Sequence, residues 1–265
     1  MKRFSEPLII IISVYTRIPM PMVYWNDNNL KYAFCFLPAA GLIAGAAQAA
    51  WTAIVCIAGI SPVLGAAAAC AVPLLVTGGI HIDGFSDTMD ALSSHAERQK
   101  KLEIMDDPHI GAFGVMWIIV YMMIYAASYY EILTCAASES RLIGILILLT
   151  AFPVISRAAA ALVISTTAPS KEKGMLYTFM SAANMKAVGA ASAAAIIISM
   201  FAVACVSPVS AAVSAVLTVM LFMYFRRMAI KEFGGISGDL CGWLIQMTEL
   251  LLTAAAALSL GTVIL

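Results

Sequence analysis

The sequence predicts an all-α fold: a polytopic membrane helix bundle of about seven transmembrane helices, preceded by a short N-terminal half-inserted segment. Three observations predict it. First, 62% of the 265 residues are hydrophobic and only 11% are charged, with a mean hydropathy of +0.95. Soluble domains run at about 45–50% apolar and about 25% charged, so lipid must solvate part of this chain. Second, seven apolar stretches are each long enough to cross, near 32–57, 62–80, 112–136, 141–165, 187–206, 209–227 and 243–263. Third, nearly all basic residues fall on one side when those stretches are threaded through a bilayer.

The elements follow in order. Lys2 and Arg3 precede an apolar run from Leu8 to Val14 that imitates a signal peptide. Tyr15-Thr16-Arg17-Ile18-Pro19 follows, with no small-residue cleavage site. The run falls well short of the about 20 residues a span needs, so it reads as an interfacial segment that stays in the mature protein. Gly59–Pro62 and Ser207-Pro208 read as tight turns between antiparallel neighbours. Small residues at Ala39–Ala50 and Gly65–Ala71 let membrane helices approach closely.

With the N-terminus inside, the inside segments hold Lys2, Arg3, Arg17, Lys31, Arg98, Lys100, Lys101, Lys171, Lys173, Lys186, Arg226, Arg227 and Lys231, thirteen of fifteen basic residues. Arg141 falls outside and Arg157 within a span. That asymmetry follows the positive-inside rule, and an even number of spans would split the clusters. The expectation is therefore seven spans, N-terminus in, C-terminus out, with residues 1–265 as a single integral membrane domain. Net charge is zero, which leaves no basic footprint for nucleic acid. The six cysteines form no CxxC pair and read as small buried hydrophobes. Walker A, GxSxG, HExxH and dinucleotide fingerprints are all absent.

Four polar clusters carry the chemistry, all on the inside face. In Gly78-Gly79-Ile80-His81-Ile82-Asp83-Gly84-Phe85-Ser86-Asp87-Thr88-Met89-Asp90, three aspartates recur at i, i+4 and i+7. On a helix they share an arc of about 60°. Such carboxylates repel one another unless a divalent cation reverses the sign. Oxygen-only ligands suit Mg²⁺, Mn²⁺ or Ca²⁺. The second cluster, Asp106-Asp107-Pro108-His109, lies at the mouth of the third span. It reads either as a metal or nucleophile-orienting group or as ordinary turn chemistry. The third, Gly234-Gly235-Ile236-Ser237-Gly238-Asp239, opens the last span, where glycines let backbone approach a phosphate and a helix N-terminus favours an anion. In the fourth, Arg17 is either a bidentate phosphate clamp or a topology anchor. Arg157 and Glu249 lie within spans and are functional candidates or mutual partners. The residues alone point to metal-dependent phosphoryl-group transfer at the cytoplasmic surface.

Taken together and in order, the motifs resemble the cobalamin synthase family over essentially the whole chain. They are Thr16-Arg17-Ile18-Pro19, the Gly78–Asp90 motif, Met105-Asp106-Asp107-Pro108-His109-Ile110-Gly111-Ala112-Phe113-Gly114, and Gly234–Asp239. Two departures are Ala91, where a glycine commonly follows the third aspartate, and Ser237 in place of threonine. The resemblance implies an enzyme that joins α-ribazole, or its 5′-phosphate, to adenosylcobinamide-GDP with loss of GMP, late in adenosylcobalamin synthesis. The ribose hydroxyl attacks the cobinamide-proximal phosphate, and the family uses Mg²⁺. It implies Asp83, Asp87 and Asp90 as metal ligands. Thr16, Arg17, His81, Gly234, Gly235, Ser237 and Asp239 are implied for substrate binding, and Asp106, Asp107 or His109 as proton acceptor. The implied partners are the two substrates and the lipid bilayer of the cell (inner) membrane, with the site facing the cytoplasm and a homo-oligomer left open. Two other readings compete. A CDP-alcohol phosphotransferase needs Asp-x-x-Asp-Gly-x-x-Ala-Arg, which is absent here. A transporter would rest on Arg157 and Glu249, but the polar clusters lie at one face and not at the midplane.

Overall fold

The computed structural model describes residues 2–136 and 139–262, and every regular element among them is helical. In chain order these are α1 (Lys2–Tyr15), α2 (Asp27–Leu30), a 3₁₀ turn (Ala33–Phe36), α3 (Leu37–Ala58), α4 (Pro62–Ala69), α5 (Ala71–Thr77), α6 (Ile80–Ser93) and α7 (Arg98–Met105). There follow α8 (Ala112–Ala136), α9 (Glu139–Thr166), α10 (Met175–Ala182), α11 (Met185–Val206), α12 (Pro208–Met228), a π-helical turn (Ala229–Phe233) and α13 (Gly238–Thr262). Six helices are long and apolar enough to cross a membrane. They are the run from Ala33 through α3, then α8, α9, α11, α12 with its π-helical turn, and α13.

The expected span at 62–80 takes a different form. Helix ends at Thr77, because Gly78 and Gly79 adopt left-handed φ of +67° and +82°. At 1.5 Å per residue, Pro62–Thr77 rises about 24 Å, less than the about 30 Å hydrocarbon core. After the two glycines α6 leaves at 100°. Counted as a span, this bent pair would make a short seventh crossing, and α6 turns away from it across the end of the bundle. The last span begins at Gly238 rather than 243, because Ser237 caps it: its Oγ accepts from the Leu240 amide at 3.2 Å. The expected end of that span at 263 lies outside the described residues.

Local chemistry explains the other boundaries. Gly59, at φ +64°, closes α3, and Ser61 followed by Pro62 opens α4. Ser207 caps α12, with Pro208 at its first position. α1 has the half-span length expected and buries Ile10 and Ile11 against the core. α9 and α13 are the most enclosed spans. Gly41 and Gly45 bring α3 onto the backbone of Pro153 and Thr150 in α9, as small residues do between membrane helices. Inside this core Arg157 of α9 pairs with Glu249 of α13, and Ser156 Oγ donates to the same Glu249 oxygen at 2.9 Å. The two deep charges neutralise each other. Tyr121, Tyr125 and Tyr129 run down α8 and bond Gln246, Gln48 and Thr52 at 2.6, 2.7 and 2.6 Å, tying α8 to α13 and α3.

Candidate active site

The site begins where α6 crosses α13. Gly84 sits on the backbone of Asp239; a Cβ at residue 84 would fall 2.6 Å from the Asp239 Cα. Gly242 meets His81 one turn away in the same crossing. Only glycine permits that approach, and it brings the Asp83–Asp87 face of α6 beside Asp239 at the head of α13. The result is an acidic ridge. Asp87 is half-buried on it and its carboxyl is pushed up to about 7, first by burial and then by Asp83, Asp239 and Asp90. The i, i+4, i+7 arc drawn from spacing thus gains a fourth acid from a residue far away in sequence.

Asp90 has separate work. Its Oδ2 accepts from the Gly111 amide and its Oδ1 from the Gly114 amide, both at 2.9 Å. Both glycines lie so close to this carboxylate that a Cβ on either would collide with it. Asp90 is therefore the N-terminal cap of α8, supplied from a neighbouring helix. It satisfies two amides that no helical carbonyl reaches and lies at the positive end of the helix dipole.

The other expected site residues divide. Asp106 ion-pairs with Lys171 at 2.6 Å and faces a cleft. Asp107 and His109 turn to the exposed surface, bonded to each other at 2.7 Å, with Asp107 Oδ1 also accepting the His109 amide. That turn holds the Asp107 carboxyl below its usual range through those two bonds. The Thr16 hydroxyl is committed to its own helix end, donating to Ile12 O and accepting the Ile18 amide. The Arg17 side chain packs on Gly78, and its amide donates to Val76 O at 2.7 Å. Arg17 therefore stands at the turn from which α6, and Asp83 with it, departs. Gly235 is a contact residue, since a Cβ there would lie 2.5 Å from the Ala168 carbonyl oxygen.

Two cavities flank the ridge. One, of about 370 Å³, is lined by His81, Asp106, Lys171, Lys173, Ser237 and Asp239 among others. The second, about 440 Å³ and more open, holds Gly78, Asp83, Ser86 and Ile110, and Ile80 lines both. The wall of the first was missed in the sequence. It is the segment after α9, stitched down by Ser170 N to Ile236 O at 2.8 Å and Ile236 N to Ala168 O at 3.0 Å. Those bonds hold Lys171 against Asp106 and near Asp239, with Lys173 beside it in the cavity wall. Two polar atoms here lack partners, His81 Nε2 and Ser170 Oγ. The face is also where the basic residues gather. Lys101 pairs with Glu232 at 2.5 Å, and Arg98 donates to Ile230 O and Lys231 O.

Among the described residues no three His, Cys, Asp or Glu side chains converge on one point. The donor set nonetheless fits a hard divalent cation of the Mg²⁺ kind, which commonly takes one or two carboxylates plus substrate phosphate and water. Asp83 and Asp87, with Asp239 beside them, would supply the carboxylates, and a cation would relieve their mutual repulsion at Asp87.

Comparison with known proteins shows the family. The cobalamin-5-phosphate synthase family model matches residues 7–257. An adenosylcobinamide-GDP ribazoletransferase of Lachnoclostridium phytofermentans is 32% identical, covering 99% of this chain and 97% of its own length. Proteins of the same name from Geobacillus kaustophilus and Clostridium botulinum (strain Alaska E43) are 29% and 28% identical. They cover 95% and 94% of this chain, and 95% and 96% of their own lengths. No solved structure matches. A match of this extent, over a helix bundle with an acidic, glycine-built crossing at one end, means that the chain belongs to the cobalamin-5-phosphate synthase family.

Proposed function

We propose that this protein is an adenosylcobinamide-GDP ribazoletransferase. It joins α-ribazole, or its 5′-phosphate, to adenosylcobinamide-GDP and releases GMP at the cytoplasmic face of the cell (inner) membrane. The observation that carries the reading is the acidic ridge at the α6–α13 crossing with a cavity on either side, in a chain of this family. Two substrates need two pockets and a shared edge. The cytoplasmic orientation is supported by the basic residues that share this face.

In this reaction the ribose hydroxyl oxygen forms a bond to the cobinamide-proximal phosphorus, the pyrophosphate P–O bond breaks, and GMP departs with that bridging oxygen. Bound Mg²⁺ would neutralise the pyrophosphate and polarise its phosphoryl oxygens. Asp83 and Asp87, with Asp239 beside them, would hold it, and Asp90 would keep α8 and α6 in register behind them. Arg17, at the Gly78 turn, would bind the pyrophosphate through its planar fork. Lys171 and Lys173 would meet the phosphate from the other cavity. Asp106 is the proton acceptor best supported, because it faces the cleft while Asp107 and His109 face away in their own turn. Such transfers depend on alignment and charge neutralisation more than on covalent help.

The test is GMP release by the purified protein in detergent. It should require both substrates and Mg²⁺, and should fail with a CDP-alcohol donor. Release of CMP from such a donor, or no GMP with both named substrates present, overturns the proposal.

A further inference from the structure

The smaller cavity has an apolar interior and a charged rim. Deep in it Tyr15, Leu37, Ala160, Ile164 and Ile245 form the walls, and Lys171, Lys173 and Asp239 stand at the mouth. Two polar atoms of residues in its lining lack partners: Nε2 of His81, a residue only 3% exposed, and Oγ of Ser170. The His81 ring stacks on Tyr15, centroids 5.8 Å apart and 25° from parallel. A buried ring nitrogen without a partner carries an uncompensated desolvation cost, and a ligand that enters the cavity can recover it.

The proposed reaction offers two heteroaromatic groups of suitable size, and their chemistry separates them. Guanine carries a ring N–H, an exocyclic amine, a carbonyl oxygen and two free ring nitrogens. The apolar walls of this cavity would strand most of these. The benzimidazole base of α-ribazole has a single free ring nitrogen on an otherwise apolar bicycle. It matches the apolar character of the cavity walls and leaves one acceptor for the His81 ring. With the base inside, its ribose emerges at the rim beside Asp106 and Asp239, where its hydroxyl must be to react.

We infer that this cavity is the α-ribazole base pocket and that His81 Nε2 donates a hydrogen bond to the free ring nitrogen of the base. The inference rests on the proposed transferase reading, and it assigns the neighbouring, more open cleft to the GDP-activated substrate. His81 acts here in binding and specificity, not in the bond-making step.

The experiment compares wild type with His81→Phe, which keeps the ring and its stacking on Tyr15 but removes the donor. It uses α-ribazole and its indole counterpart, in which the free ring nitrogen is a C–H. Binding of each nucleoside to detergent-purified protein is measured by equilibrium dialysis, and KM for each substrate by GMP release. Wild type should bind the indole analogue about tenfold more weakly than α-ribazole. His81→Phe should bind both equally, at that weaker level, with KM for adenosylcobinamide-GDP unchanged. Equal binding of the two nucleosides by wild type overturns the inference, and needs no variant to fold. A His81→Phe effect confined to the KM of adenosylcobinamide-GDP overturns it too, placing guanine in the pocket. Dialysis keeps the two readings apart. A protein that binds α-ribazole through His81 yet releases no GMP would sink the transferase reading and leave the pocket standing.

Discussion

Asp90 offers the sharpest separation of a positioning carboxylate from a metal-binding one. In Asp90→Asn the side chain keeps its size, but one of its two oxygens becomes an NH₂. In the wild type the amides of Gly111 and Gly114 each donate to a separate carboxylate oxygen at 2.9 Å. In the variant one of them faces a donor instead. The loss is one charge-assisted hydrogen bond, worth about 1.5–3 kcal/mol. About 0.3–1 kcal/mol of interaction with the α8 dipole goes with the charge. The expected destabilisation is therefore about 2–4 kcal/mol, read as a clear fall in Tm during thermal unfolding in detergent without Mg²⁺. Asp87→Asn is the counterpart. It removes a charge that the fold resists, so its Tm should hold or rise while Mg²⁺-dependent turnover is lost. Titrating Mg²⁺ completes the assay: the half-saturating concentration should be unchanged in whatever folded Asp90→Asn remains. Wild-type Tm in Asp90→Asn together with a raised Mg²⁺ requirement would return Asp90 to the ligand set.

Four further outcomes are expected. The Asp87 carboxyl has an ordinary value of 3.8 and a folded value of about 7, so between these the native protein binds a proton that the unfolded chain does not. Stability in EDTA should fall as pH rises from 5 to 8, and Mg²⁺ or Asp87→Asn should flatten that slope; a slope unchanged in the variant refutes the assignment. Lys171→Met removes the partner of Asp106 and a rim cation; kcat/KM for adenosylcobinamide-GDP should drop at least about tenfold, or roughly 1.4 kcal/mol, and an unchanged value would leave Lys171 a mere anchor. Arg17→Lys keeps the inside charge and loses the fork, and Gly78→Ala crowds the same guanidinium; both should lose about tenfold with the GDP substrate in steady-state kinetics, whereas tolerance of both would make Arg17 a topology anchor. Arg157→Ala strands Glu249 in the core and should cost about 3–5 kcal/mol, while the double replacement R157M/E249L recovers most of it; a transport role would instead spare stability.

The bundle was legible in the sequence because lipid imposes composition and length. The broken second crossing was not. Gly78-Gly79 marks a helix end in either case, and nothing local says that α6 departs at 100°. The aspartate arc was legible because it is a property of one helix. The partnership of Asp239 with Asp83 and Asp87 was not, because it depends on a tertiary crossing between residues some hundred and fifty positions apart. Lys171 and Lys173 counted as inside anchors, which accounts for their charge and hides their place in the cavity wall. The one local signal was their position between Pro169 and Gly174, a short constrained connection rather than a free tail.

The glycines carry the wider lesson. In sequence, glycines beside aspartates suggest backbone approaching phosphate. In the fold, Gly84 admits the backbone of Asp239, Gly111 and Gly114 admit the carboxylate of Asp90, Gly235 admits Ala168 and Pro169, and Gly78 admits Arg17. Each is a contact between protein parts, and each sets the place of a charged or cleft-lining residue. A membrane bundle has little hydrophobic force to press its helices together, so close approach through small residues must do that work. It also faces the largest penalty for misplacing a charge. Spending the motif glycines on carboxylate and guanidinium placement answers both demands at once. It follows that these Asp–Gly motifs encode a helix crossing before they encode a ligand. In the proposed reaction the acids would face a cation and a pyrophosphate only because the glycines first let α6, α8 and α13 meet at the head of the bundle.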